Sequence, residues 1–350
     1  MSRNPSPPVP AGAAQRGFRV AMMFHPSHRV PDLGEAERWF ERVFGSPSAR
    51  LDTFGAGGAQ DPENRTDYST FTVIRDVVLD TIDPELYVKN GVQQYPTVEK
   101  PHLNGFGWYV DGLTHAYRAL RSRGFQIVDQ LGAIVESDEP PTVVGGGLPM
   151  FWTTPDSAGL RYQFLPPIPF PGDPRVQPGW VLPPVSEDDP LGIDMCSHHI
   201  VLTAERDRAL RLFVDALGGT VIHEGYDSVL SATSTYVHLA DGVYELATPD
   251  DRTLAFADWA TNAPRDTYHA IAFKVVDLDR ADRHLRAQGV RIVIRSDDVI
   301  VTDPETSLGV PWRFVAALTP GDPRALSTGR AEARCGSRVG LRPAKESHHA

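Results

Sequence analysis

Short apolar segments, broken by glycine and proline, recur in one order four times along the chain. An apolar run from Phe18 to Phe24 predicts a strand. Leu33, Ala36, Phe40, Val43 and Phe44 then return at helical spacing, with Asp32 placed to cap the helix and Gly45 to end it. Ser69–Arg75 and Val77–Ile82 read as strands. The second unit has a strand at Gly105–Val110, a helix over Leu113–Arg123 closing on Gly124, and strands at Phe125–Val128 and Leu160–Leu165. The third runs strand His199–Thr203, helix Arg206–Leu217, then strands near Val221, at Tyr236–Leu239 and at Val243–Leu246. In the fourth, His269–Val275 is a strand, Leu278–Ala287 a helix, and Arg291–Ile294 and Trp312–Ala316 are strands.

These units are copies of one another. Val110–Val128 matches Val275–Val293 without a gap, and Ala36–Gly45 matches Ala209–Gly218 with Phe40 set on Phe213. Four βαβββ units, paired two and two, predict an α+β fold of two similar domains. The boundaries expected are a disordered leader at 1–17, an N-terminal domain at 18–165, a Pro-rich linker at 166–194, a C-terminal domain at 195–318 and a disordered tail at 319–350. The proline content of the linker bars it from a central strand and suits a semi-rigid connector that a protease would cut.

Composition narrows the partners. A net charge of −11 argues against nucleic acid or an anionic membrane surface. No apolar run approaches the roughly 18–20 residues that span a bilayer, and the leader lacks the apolar core of a signal peptide. The two cysteines, Cys196 and Cys335, lie far apart, so a disulfide framework is not expected and the setting is cytoplasmic. Nothing marks Cys196 as an activated thiolate. Gly145–Gly147 is followed by no helix or Lys-Ser/Thr, and is a loop rather than a phosphate cradle.

Three strands each carry one metal-ligand side chain, at His199, Glu245 and His269. Two imidazoles and a carboxylate would hold one divalent ion and leave positions open for a substrate. His198 faces the opposite side of its strand from His199, and becomes the inward residue if the register slips by one. Glu245 lies in an apolar strand, where burial is costly unless the carboxylate is paired or metal-bound. His238 and Tyr236, one strand away, are candidate acid–base groups.

In these repeats, in His199-Ile-Val-Leu-Thr, His269-Ala-Ile-Ala-Phe-Lys-Val-Val-Asp, Val30-Pro-Asp-Leu-Gly-Glu-Ala-Glu-Arg-Trp-Phe and Thr302-Asp-Pro-Glu, the chain resembles the vicinal oxygen chelate superfamily. That superfamily includes glyoxalase I, extradiol dioxygenases and bleomycin-resistance proteins. The resemblance implies that each pair of units closes a cupped mixed sheet around one metal. Its four ligand positions fall on His199, Glu245, His269 and Arg313 in the C-terminal domain. An arginine cannot bind a metal. Since the dioxygenase carboxylate belongs at that last position, the pattern leans to non-redox chemistry. In the N-terminal domain the positions fall on an unplaced residue within Arg19–His28, then on Asp80, Asn104 and Gln163, a weak set for a transition metal. His25, His28 and His102 lie nearby without a register to place them. That half is expected to supply structure, a dimer surface or a lid.

The function implied is a metal-dependent lyase or isomerase acting on a small molecule that chelates the ion through adjacent oxygens. A ring-cleaving dioxygenase and a non-catalytic drug-binding protein remain the alternatives. Glu245, His238 or Tyr236 would serve as base, and Arg313 would anchor a substrate carboxylate. Fe, Mn, Zn, Ni and Co are not distinguished, and a homodimer is left open.

Overall fold

The first helix shows how the two halves interlock. In the computed structural model, which describes residues 16–325 apart from 56–65, 90, 144–146, 251–257 and 259–264, α1 spans Leu33–Phe44. Asp32 accepts from the Glu35 amide at 2.9 Å, and Gly45 closes the helix at φ 65°, as predicted. The buried stripe is Leu33, Ala36, Trp39, Phe40, Val43 and Phe44. Much of it faces the other domain: Trp39 and Phe44 lie 6.2 and 5.2 Å from Trp312, and Phe44 lies 5.9 Å from Phe273. The helix of the third unit, α3, begins at Arg206–Leu210 and ends in a π-helical turn, Arg211–Ala216. It returns the contact, with Phe213 set 5.8 Å from Trp108 and 5.7 Å from Tyr162. The helices of the second and fourth units are α2, Leu113–Ser122, and α4, Leu278–Ala287.

Each domain forms one eight-stranded sheet. In the first, β1 is Arg19–Arg29, β2 Ser48–Arg50, β3 Ser69–Ile74, β4 Val77–Ile82, β5 His102–Asp111, β6 Ile127–Val128, β7 Phe151–Thr153 and β8 Gln163–Leu165, ordered β2-β3-β4-β1-β5-β8-β7-β6. The second repeats this order with β9 Ile193–Leu202, β10 Thr220–Asp227, β11 Ala232–Leu239, β12 Gly242–Pro249, β13 Thr267–Val275, β14 Ile292–Arg295, β15 Val299–Thr302 and β16 Arg313–Val315. The sheets are mixed: β1 runs parallel to β4 and antiparallel to β5, as β9 does to β12 and β13. This is the α+β, two-domain, paired-unit fold expected. One apolar cluster, including Phe40, Phe44, Trp108, Phe213, Tyr244 and Trp312, joins both halves. Each sheet turns one face to that shared core and the other to its own cup.

The Pro-rich segment is not a free connector. Phe170 stacks on Phe24 at 5.3 Å, and Asp173 is fully buried. The motif Gly172-Asp-Pro-Arg175 returns as Gly321-Asp-Pro-Arg324, within the segment expected to be a disordered tail. Each arginine forks onto its own aspartate and clamps the centre of a sheet. Arg175 donates to Met23 O and Asp76 O, both at 3.1 Å, and to Phe24 O at 2.6 Å. Arg324 donates to Cys196 O at 3.0 Å, Ser197 O at 2.6 Å and Asp241 O at 3.3 Å. The domains are then cross-stitched, because the Cys196 amide donates to Asp76 at 2.7 Å and the Met23 amide to Asp241 at 2.8 Å. Residues 1–15, residues 326–350 with Cys335, and most of the Gly145–Gly147 loop lie outside the described residues. Among the described residues no helix is long and apolar enough to cross a membrane.

His28 belongs to this shared core rather than to a cup. Its Nε2 donates to Leu308 O of the other domain at 2.9 Å, its Nδ1 has no hydrogen-bond partner, and burial lowers its pKa to about 4. The folded value lies below the unfolded one, so the stability is complete above about pH 6.5 and is lost as pH falls towards 4. By pH 5 this one residue costs about 2 kcal/mol. Replacement His28→Phe should therefore shrink the drop in melting temperature between pH 7.5 and pH 5. An unchanged drop would assign the acid sensitivity to other groups.

Candidate functional site in the C-terminal cup

The strand β9 decides which histidine enters the cup. Its partner across β13 for His198 is Ala272, and its neighbour across β12 for Ile200 is Glu245. His198, Ile200 and Glu245 thus share the cup face. His199 points the other way, into the interdomain core, where it stacks on Tyr244 at 5.6 Å and accepts from or donates to Tyr268 Oη at 2.7 Å. Burial lowers its pKa to about 3. The histidine of this strand that faces the cup is therefore His198 and not the expected His199, with a bulge between Cys196 and His198 in the pairing to β13.

His198 Nε2 and Glu245 Oε2 face one another at 3.2 Å. They are close enough for an ion pair but not aligned as a hydrogen bond, so both atoms are buried without a hydrogen-bond partner. Their far atoms are held: His198 Nδ1 by Ser197 Oγ at 3.0 Å, Glu245 Oε1 by Ser234 Oγ at 2.6 Å. Burial alone would raise the Glu245 pKa, but His198, Arg313 and Ser234 outweigh it and hold the group at about 2. An anionic carboxylate oxygen and an imidazole nitrogen set side by side without a hydrogen bond suit a divalent ion.

Arg313 also enters the cup, since its neighbours Trp312 and Phe314 are in the shared core. It is not free to anchor a substrate carboxylate, as the sequence led us to expect. Its Nη1 pairs with Asp227 at 2.5 Å and lies 3.7 Å from Glu245 Oε2. Asp227 neutralises the guanidinium, which removes the fixed positive charge that would otherwise repel a metal. Tyr236 packs edge-on against His198 at 5.5 Å, and burial raises its pKa, so it remains a phenol rather than a base. His238 is drawn to the Arg324–Asp322–Asp241 end of the strand, away from Glu245, and burial lowers its pKa.

His269 occupies a bulge in β13, skipped between the pairs Ile200–Ala270 and Val201–Tyr268. Its Nδ1 bonds Asp258 at 2.6 Å. Among the described residues no three His, Cys, Asp or Glu side chains are grouped to hold a metal, so the structure does not bring His269 together with His198 and Glu245.

The N-terminal cup repeats the arrangement. The alignment of Ala36–Gly45 with Ala209–Gly218 also sets His25 on His198. Ser69 bonds Asp80 as Ser234 bonds Glu245, eleven residues apart in both cases. Asn104 occupies the same bulge as His269, between the pairs Ser27–Gly105 and His28–Leu103. His25 and Asp80 approach to 3.9 Å, and Gln163 turns its Oε1 to the same place over Gly107, where a Cβ would meet both Gln163 and His25. Here a cavity of about 260 Å³ opens, lined also by Asn104, Lys89 and Arg161. Burial raises Asp80 to about 7 and lowers His25 to about 4. Sequence reasoning could not place His25, because β1 continues through Pro26, which reads as a strand breaker. Bulges on either side of Pro26 accommodate it.

Fold and cup together define a two-domain protein of duplicated βαβββ units with a ligand-type His–Glu pair at the base of one sheet. Residues 194–305 match the family model of the Glyoxalase/Bleomycin resistance protein/Dioxygenase superfamily. That match is confined to the C-terminal domain, and the N-terminal domain repeats the same sheet order. Among solved structures, a mutant 4-hydroxymandelate synthase from Streptomyces coelicolor aligns with TM-score 0.55 and 15% identity, over 90% of this chain and 99% of that one. A Mn(II)-bound glyoxalase from Novosphingobium aromaticivorans aligns at 0.54 and 10%, over 87% and 85%. A 2,3-dioxygenase from Pseudomonas sp. KL28 aligns at 0.53 and 11%, over 87% and 95%. At these identities they show a common fold. No curated protein matches the sequence.

Proposed function

We propose that this protein is a metal-dependent lyase or isomerase whose C-terminal cup takes a small molecule with two adjacent oxygens. The observation that carries this is the buried pair His198 Nε2 and Glu245 Oε2, 3.2 Å apart and each without a hydrogen-bond partner. His198 and Glu245 would hold the ion. His269, which this structure holds on Asp258 and not beside the pair, would turn to become the third ligand when an ion binds, with Asp258 on its far nitrogen as an orienting carboxylate. When bound, a divalent ion supplies Lewis acidity to the substrate oxygens. Ser197 and Ser234 fix the two inner ligands in orientation. Tyr236, kept protonated, can donate a hydrogen bond to an oxygen that gains negative charge. Arg313 and Asp227 fill the last-strand position with an internal ion pair, which leaves no carboxylate where a ring-cleaving dioxygenase needs one.

The test is metal retention followed by reaction type. After equilibration with Mn, Fe, Co, Ni or Zn and desalting, the wild-type chain should keep one ion, and Glu245→Gln should keep little. Oxygen uptake with catechol should be absent. A wild-type chain that retains no ion from any of these metals would sink the reading, and metal-dependent oxygen uptake would return it to the dioxygenases.

A further inference from the structure

The N-terminal cup carries a feature that the C-terminal chemistry does not use. Its cavity is walled by rings, with Tyr68 and Tyr87 stacked at 3.8 Å and Phe24 and Phe71 at 6.1 Å. Two guanidinium groups bracket Tyr95: Arg29 lies 4.2 Å from the ring centre and Arg161 5.1 Å, and Arg161 is also 5.1 Å from Trp152. Among the described residues neither arginine pairs with a carboxylate, and the Nε of each is buried without a hydrogen-bond partner. Arg161 donates only long bonds, to Asp129 O at 3.4 Å and Gln130 O at 3.2 Å. Two like charges held together without a counter-ion are costly, and an anion arriving at Arg161 would relieve that cost. At the base of the same cavity, Asp80, His25, Asn104 and Gln163 offer neutral or exchangeable hydrogen-bonding groups.

We propose that the N-terminal cup is a second ligand site, separate from the C-terminal metal centre, and that it takes a single-ring aromatic carboxylate. The carboxylate pairs with the Arg161 fork, the ring packs among the aromatic walls, and a hydroxyl or carbonyl at the far end bonds within the Asp80–His25 group. Size limits the ligand to about one ring, because the cavity lies just below the roughly 300–1,000 Å³ of drug-sized pockets. Charge sets its polarity, since Arg161 lines the cavity and among the described residues no carboxylate pairs with it. This site stands on different residues from the proposed enzyme centre and does not depend on it.

The probes are 4-hydroxybenzoate and its neutral amide, titrated calorimetrically into the full-length protein. The acid should bind, and the amide should bind roughly 10- to 100-fold more weakly, the effect of one charge-assisted contact. Arg161→Gln, shown to be folded by its circular dichroism and melting temperature, should erase the preference for the acid. His198→Ala, in the other cup, should leave the acid's affinity unchanged. No binding of 4-hydroxybenzoate at millimolar concentration would overturn the proposal. So would equal affinity for acid and amide, or acid preference surviving in Arg161→Gln. Binding lost in His198→Ala but kept in Arg161→Gln would overturn it too, by moving the ligand to the metal cup, and metal retention measured separately keeps that outcome apart from failure of the enzyme assignment.

Discussion

His198→Ala should weaken divalent-metal binding by about 100-fold or more, whereas His199→Ala should leave the metal content at the wild-type value. Loss of an outer partner of a ligand already costs 10- to 100-fold, and loss of the ligand itself should exceed that. His199 lies on the opposite face of β9, stacked on Tyr244 and bonded to Tyr268 Oη. Its truncation should instead lower stability by about 2–4 kcal/mol, from lost packing and a buried hydroxyl left without its partner. The two neighbouring substitutions therefore separate two functions of one strand. Elemental analysis and a denaturant melt on each variant measure both. Metal lost in a folded His199→Ala and kept in His198→Ala would reverse the assignment of faces.

Arg175→Ala should destabilise the protein by about 3–5 kcal/mol, the loss typical of breaking a buried ion pair from one side. The side chain is almost fully buried and forks onto Asp173 with bonds of 2.9 and 2.8 Å. Truncation leaves the Asp173 carboxylate buried and uncompensated, and frees the carbonyls of Met23, Phe24 and Asp76. Arg175→Lys supplies charge but not the planar fork, and should recover only part of the loss. The double variant Asp173→Asn with Arg175→Met should be more stable than Arg175→Ala, because it removes the stranded charge. Urea melts of the three variants provide the measurement. Equal stability of Arg175→Ala and the wild type would show that the clamp holds nothing.

The periodicity of apolar residues and the ungapped repeat were enough to predict four βαβββ units, the α1 cap at Asp32 and stop at Gly45, and the superfamily. These signals are local, or compare one stretch of chain with another, so no tertiary contact is needed to read them. That Glu245 needs a partner was legible too, since a carboxylate in an apolar strand is costly to bury alone, and His198 and Ser234 meet it. Its membership was not. A strand places successive side chains on opposite faces, so one bulge near Cys196 was sufficient to exchange His199 for His198. The bulge is set by pairing with β13, more than sixty residues away, and no local pattern announces it. The role of Arg313 likewise depended on Asp227, which arrives from β10. The Gly-Asp-Pro-Arg repeat was visible as letters, but proline and charge at an element's end look like linker and tail. Only packing shows that both copies grip the centre of a sheet, because the groups they satisfy are backbone carbonyls, which every residue carries and no sequence can rank.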